Sequence, residues 1–154
     1  MSLQSNSAII CLKLLTARNR HLETPPTPAF STADHDPCDL GRTSGIFDAP
    51  RAILASIEGL QLIEMARNRE DAVCCGGGGN LEMVDSALVA QIGRRKMALV
   101  ADTGAKTVVS ACQQCKRTMT GAARAIRTRV RIKDITELVW DAIQAAEGHH
   151  GMRK

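Results

Sequence analysis

The stretch "GAKTVVSACQQCKRTMTGAARAI", residues 104–126, passes from a glycine through a β-branched run to two cysteines, and then into a helical pattern. Thr107, Val108 and Val109 are stiff at χ1 and suit a buried sheet position, so "KTVVSA" reads as a strand. The segment "QCKRTMTGAARAI" that follows reads as a helix. Gly104 stands where a helix-terminating glycine belongs, which predicts a long amphipathic helix over 81–103 in front of it. Behind it come a strand, "RVRIK", and a helix, "DITELVWDAIQAA", in which Asp134 and Glu137 stand at capping-box spacing.

The same alternation extends upstream. "AFSTAD" is a short candidate strand, and "DAPRAILASI" is a helix with Asp48 as N-cap and Pro50 in its first turn. Gly59 closes that helix, and "LQLIEMA" reads as the next strand. Residues 7–20 predict a separate helix with Ile9, Ile10, Leu12, Leu14 and Leu15 on its apolar face, stopped by the Pro-rich "ETPPTPAF". Parallel strands need crossovers and helices supply them, so the fold class is α/β: a small parallel sheet of about four strands with helices on both faces. Residues 1–29 are then an N-terminal helix and linker, 30–147 the domain proper, and 148–154, with His149 and His150, a flexible tail.

Composition narrows the function. A chain of 154 residues with 44% hydrophobic content can build one core but not two large domains. One Trp, two Phe and no Tyr leave few platforms for stacking bases, and the basic run "AARAIRTRVRIK" reads as a solvated helix end, so no nucleic-acid partner is expected. No apolar run reaches the length of a bilayer span, and no cleavable leader pattern is clear, so a cytoplasmic protein is expected.

Six cysteines in a reducing compartment point to metal or redox chemistry rather than structural disulfides. Cys11 stands alone on its helix and reads as a small core residue. The other five, Cys38, Cys74, Cys75, Cys112 and Cys115, each follow a candidate strand. The carboxyl ends of parallel strands share one edge, so these sulfurs are expected to converge there. Helix N-termini face the same edge and stabilise anionic sulfur. Gly76, Gly77 and Gly78 in "CCGGGGN" would let the backbone approach a bulky group and offer it unhindered N–H donors. Neither a dinucleotide fingerprint nor a P-loop accounts for this glycine run. Soft thiolates bind zinc or iron–sulfur clusters, and five exceed what one zinc requires.

The segments "HDPCDLGR", "PRAIL", "LIEMARNREDAVCCGGGG", "GAKTVVSACQQC" and "IKDITELV" together resemble the cysteine-rich CCG domain found in heterodisulfide reductase, in the iron–sulfur subunit of glycolate oxidase and in related Fe–S oxidoreductases. The resemblance covers roughly residues 30–143. It implies an iron–sulfur redox module that transfers electrons through a 4Fe-4S cluster, noncubane in heterodisulfide reductase, with Cys38, Cys74, Cys75, Cys112 and Cys115 as ligands. His35 would assist proton movement or hydrogen-bond a cluster sulfur, and Arg42 would offset cluster charge or hold an anionic substrate. The implied partners are another redox subunit or the other half of a longer reductase, and a flavin- or ferredoxin-type electron partner. Gln113 departs from the family pattern, which usually has Pro there, and the second CCG motif and ferredoxin repeats of many members do not appear before residue 30. Two alternatives remain open: an interaction domain held by one structural zinc, and a dithiol oxidoreductase using Cys112 and Cys115 alone.

Overall fold

A computed structural model describes residues 30–150, with side chains described through residue 145. The expected helix over 7–20, the Pro-rich segment and Cys11 lie outside the described residues. Four strands, β1 (Phe30–His35), β2 (Leu60–Ile63), β3 (Thr107–Ser110) and β4 (Arg131–Asp134), form one sheet in the order β2-β1-β3-β4, with every pair parallel. The expected α/β class and strand number are those observed.

Helices α1 (Asp48–Ala55), α2 (Leu81–Val84), α3 (Ser86–Asp102), α4 (Gln113–Ala125) and α5 (Ile135–His150) supply the connections and the cover. Alternate residues of the central strands serve opposite layers. Ala33 and Val108 pack with Met97, Val100, Met119 and Ala123 of α3 and α4. Val109 packs with Ile53 and Leu54 of α1 and with Ile135 and Leu138 of α5. The chain leaves β1 toward β2 and later returns across β1 to β3, so the strand order reverses between β1 and β3. Ligands of open α/β sheets bind at such a switch point, beyond the carboxyl ends of its two strands.

Three local expectations need correction. The helix predicted over 81–103 is two helices, because Asp85 leaves helical geometry (φ −147°, ψ 82°) and its side chain accepts from the Leu88 N–H at 2.9 Å, starting α3 afresh. Asp48 does not cap α1. It is the first helical residue, Phe47 holds the cap position, and the Asp48 carboxylate pairs with Arg69 at 2.7 Å instead. Only Leu60–Ile63 of "LQLIEMA" pairs as a strand. The capping box of α5 forms as its spacing predicted: the Asp134 N–H donates to Glu137 at 2.8 Å, and Asp134 accepts from the Thr136 N–H at 2.9 Å. Gly59 and Gly104 both take positive φ at the turns expected of them.

Candidate metal centre

The loops after β1, β2 and β3 carry the five cysteines of the described residues. Cys75 and Cys115 are buried, and their Sγ atoms lie 3.3 Å apart. Cys74 and Cys112, both partly buried, extend this pair at either end through thiol contacts with Cys75 and Cys115 respectively. Cys38 is exposed at the start of a five-residue π-turn, Asp39–Thr43, and adds to the negative potential felt by Cys74. The expected convergence therefore holds most tightly for four sulfurs, with Cys38 at the solvent side.

Electrostatics divides the four into acceptors and donors. The Cys115 thiol, then the Cys74 thiol, hold Cys75 far below the ordinary thiol range, with further help from His35 and the Gly77 N–H. The Cys115 thiol likewise brings Cys112 down to about 6, aided by the backbone N–H groups of Cys115 and Gln114 at the start of α4. Cys112 is the N-cap residue of that helix, so its sulfur sits in the positive potential of the helix start without making a capping hydrogen bond. Cys74 and Cys115 keep their protons, pushed up by the anionic sulfurs beside them and by burial. A soft cation entering here would meet two thiolates and displace two protons.

The glycine run has two separate parts. Gly76 takes φ +88°, and a Cβ there would meet Ile92 at 2.8 Å; its N–H donates to Cys74 Sγ at 3.3 Å. A Cβ at Gly77 would run into Thr118 Oγ1 and come within 2.9 Å of Gln114 Nε2. These glycines seat the cysteine loop against α3 and α4 and aim N–H groups at sulfur. Gly78 is exposed with open space around it.

His35 is 1% exposed, and its ring shares a face of the sheet with Ala33 and, across the ladder, Ser110. One nitrogen of His35 and the sulfurs of Cys75 and Cys115 all lie within 4.8 Å of one another. Burial lowers the His35 pKa, and Cys75 opposes this only in part, so the imidazole is held neutral. Arg42 is exposed on the π-turn, and no described contact brings it into the sulfur group.

Four functional-looking residues escaped the sequence reading. Arg51 on α1 donates from Nη1 and Nη2 to both oxygens of Asp36, at 2.7 and 2.9 Å, and from Nε and Nη2 to both oxygens of Glu64, at 2.6 and 2.8 Å. Asp36 also accepts from the Arg69 N–H at 2.8 Å. This clamp ties the loop before Cys38 to the segment before Cys74. Although burial works against it, Arg51 holds Asp36 below the usual carboxylate range. Asp34 lies on the other face of β1 from His35, and burial, with Asp36 adding to it, pushes it up to about 7. Lys96 of α3 is wholly buried; burial lowers it to about 8, opposed by Asp36, Cys115 and Cys75. The polar "DHD" at 34–36 was a signal for Asp34 and Asp36, and the apolar helical spacing of Val89, Gly93, Met97 and Val100, into which Lys96 falls, was one for Lys96; no local signal marked Arg51.

The donor set suits a sulfur-ligated metal group. It is soft sulfur with one neutral imidazole; Ser110 Oγ and Lys96 Nζ are buried without a hydrogen-bond partner, and the His35 ring faces the Cys75 sulfur without a well-formed hydrogen bond from either nitrogen. Such orphaned groups cost stability unless something completes the site.

Comparison with known proteins agrees. A subunit of the dihydromethanophenazine:CoB–CoM heterodisulfide reductase of Methanosarcina barkeri is 38% identical over 109 residues, which are 71% of this chain and 27% of that protein. A probable iron-sulfur-binding oxidoreductase of Bacillus subtilis, FadF, is 34% identical over 127 residues, 80% of this chain and 18% of that protein. A subunit of the fumarate reductase (CoM/CoB) of Methanothermobacter marburgensis is 33% identical over 82 residues, 53% of this chain and 16% of that protein. The chain thus spans about a quarter or less of the length of these curated relatives. The family model of the cysteine-rich domain CCG matches residues 32–120, with all five of the clustered cysteines inside the match, and the chain belongs to that family.

Proposed function

We propose that this domain is an iron–sulfur redox module, in which Cys38, Cys74, Cys75, Cys112 and Cys115 hold a 4Fe-4S cluster that accepts and passes on electrons within a heterodisulfide reductase-like Fe–S oxidoreductase. The observation that carries the reading is the contact of Cys75 and Cys115 at the switch point, flanked by Cys74 and Cys112. The bound cluster would supply one-electron chemistry. The protein's own part is to keep the centre dry on its inner side, through Met97, Met119 and Val108, and to leave the Cys38 side open to a reaction partner. Gly76 and Gly77 donate N–H groups toward sulfur, and His35 fixes the inner wall with an uncharged ring.

The relatives' names support partner subunits and an iron–sulfur oxidoreductase setting. Met83 and Val84, 80% and 82% exposed beside the glycine run, are an apolar surface suited to another redox subunit or the other half of a reductase. A flavin- or ferredoxin-type centre would exchange electrons there. Among the described residues no helix is long and apolar enough to cross a membrane. Five free cysteines, which a reducing compartment preserves, support the cytoplasmic setting expected from the sequence.

The grouping of His35 with Cys75 and Cys115 favours a second reading, a structural zinc with mixed nitrogen and sulfur ligands. Anaerobic reconstitution with ferrous iron, sulfide and zinc in competition separates the two. The cluster reading expects iron and acid-labile sulfide in equal amounts and a coloured protein. Zinc alone, with no sulfide retained, overturns it.

A further inference from the structure

Lys96 is the one buried cation in the sulfur-side layer of the described residues. It is 0% exposed, sits on α3 between Gly93 and Met97, and its Nζ has no hydrogen-bond partner. Of the acids near it, Asp36 is gripped by Arg51 and by the Arg69 N–H, and Asp34 lies on the opposite face of β1 from His35, with Oδ2 3.6 Å from Arg51. Its α3 neighbours Met97 and Val100 pack in one buried cluster with Cys75 and Cys115, the remaining charged groups near it. An ammonium taken wholly out of water with no acceptor is strongly destabilising in isolation. Nothing in the packing requires one here, since its neighbours Met97 and Val100 belong to an apolar cluster.

We propose that Lys96 is a built-in counter-charge for an anionic sulfur-ligated centre at the sheet edge, and that it raises the reduction potential of that centre. The inference rests on the cluster reading above and places a counter-charge on the buried side of the centre, whereas Arg42 is exposed on the π-turn. A cluster held by thiolates is net negative, and one-electron reduction by an external donor adds one further negative charge. A fixed cation within the same low-dielectric layer stabilises both states, and the reduced one more. Lys96 thereby acts as a positioning charge and not as a ligand.

The test is an EPR-monitored redox titration of the full chain, reconstituted anaerobically with iron and sulfide, with dithionite as donor. Wild type is compared with Lys96→Met, Lys96→Gln and Lys96→Arg. The neutral variants are expected to move the reduced-to-oxidised ratio at a fixed ambient potential at least tenfold toward oxidised, about 59 mV for a one-electron couple. Lys96→Arg should stay near wild type. In the metal-free chain, urea unfolding of Lys96→Met should show stability equal to or above wild type, because an unpaired buried cation has gone. Unchanged potentials in variants that hold their iron would overturn the proposal and leave the cluster reading standing. So would failure of both neutral variants to fold, which would make Lys96 a packing residue. Neutral variants that fold but lose iron, while Lys96→Arg keeps it, support the counter-charge. A wild-type chain that takes up no iron and sulfide removes the cluster reading itself.

Discussion

Cys75 and Cys115 stand 40 positions apart in the chain, and their sulfurs are 3.3 Å apart in the fold. That contact exists because β1 and β3 are neighbours in the sheet while the loops after β2 and β3 both bend over the β1 end. Replacing either partner removes a sulfur from the buried centre of the group, whereas Cys38 lies at its solvent side. Cys75→Ser and Cys115→Ser are each expected to lose most of the iron and labile sulfide after anaerobic reconstitution. Cys38→Ser should retain more than either, with an altered visible spectrum. Iron and sulfide assays on wild type and the three variants check the order.

Gly77 is a packing glycine as much as a donor. A methyl group there meets Thr118 Oγ1 and lies 3.1 Å from Thr118 Cβ, so the cysteine loop must lift off α4. Gly77→Ala is expected to cost about 1–3 kcal/mol in metal-free unfolding, the usual scale for overpacking. Thr118→Ala should recover part of that loss, and a double-mutant cycle by urea denaturation measures the coupling.

Arg51 donates to two carboxylates and to the Phe47 carbonyl, at 2.8 Å, with its side chain only 10% exposed. Its removal leaves Asp36 buried without its cation. Arg51→Met should destabilise the metal-free chain by about 3 kcal/mol or more. Arg51→Lys should recover little, since an ammonium cannot span Asp36 and Glu64 with paired donors. Chemical denaturation of both variants reads the difference.

Asp34 gives a pH signature. Its folded pKa of about 7 exceeds the unfolded value of 3.8, so between these values the folded state binds more protons. The stability it contributes is full below the unfolded value and is lost as pH rises through the folded one. His35, with a lowered pKa, acts in the opposite sense as pH approaches its unfolded value from below, so the effect is read as a difference between proteins. Asp34→Asn should gain on wild type as pH rises from 4 to about 8, by on the order of 4 kcal/mol at about 1.4 kcal/mol per pH unit across the window. Unfolding free energies at several pH values check the slope and its sign.

Much of the fold was legible because its signals are local. The β-branched run at Thr107–Val109, the glycine at 104 and the Asp134–Glu137 spacing each specify backbone geometry within a few residues. The cysteines became legible as a group once each was placed after a strand. The helix break at Asp85 was missed because an aspartate inside an amphipathic pattern has the same polarity whether it faces solvent or caps a new helix. The Arg51 clamp was missed for a different reason: its partners Asp36 and Glu64 are 15 and 13 positions away and meet it only through the β1-α1-β2 crossover. Lys96 carried a local signal that went unused, since it falls within the apolar spacing of Val89, Gly93, Met97 and Val100.

The most direct test of the central claim is X-ray absorption at the iron edge of the anaerobically reconstituted full chain. The account predicts a first coordination shell of sulfur alone with short iron–iron vectors beyond it, lost in Cys75→Ser. A shell dominated by oxygen or nitrogen, or iron bound equally well without Cys75, would contradict it.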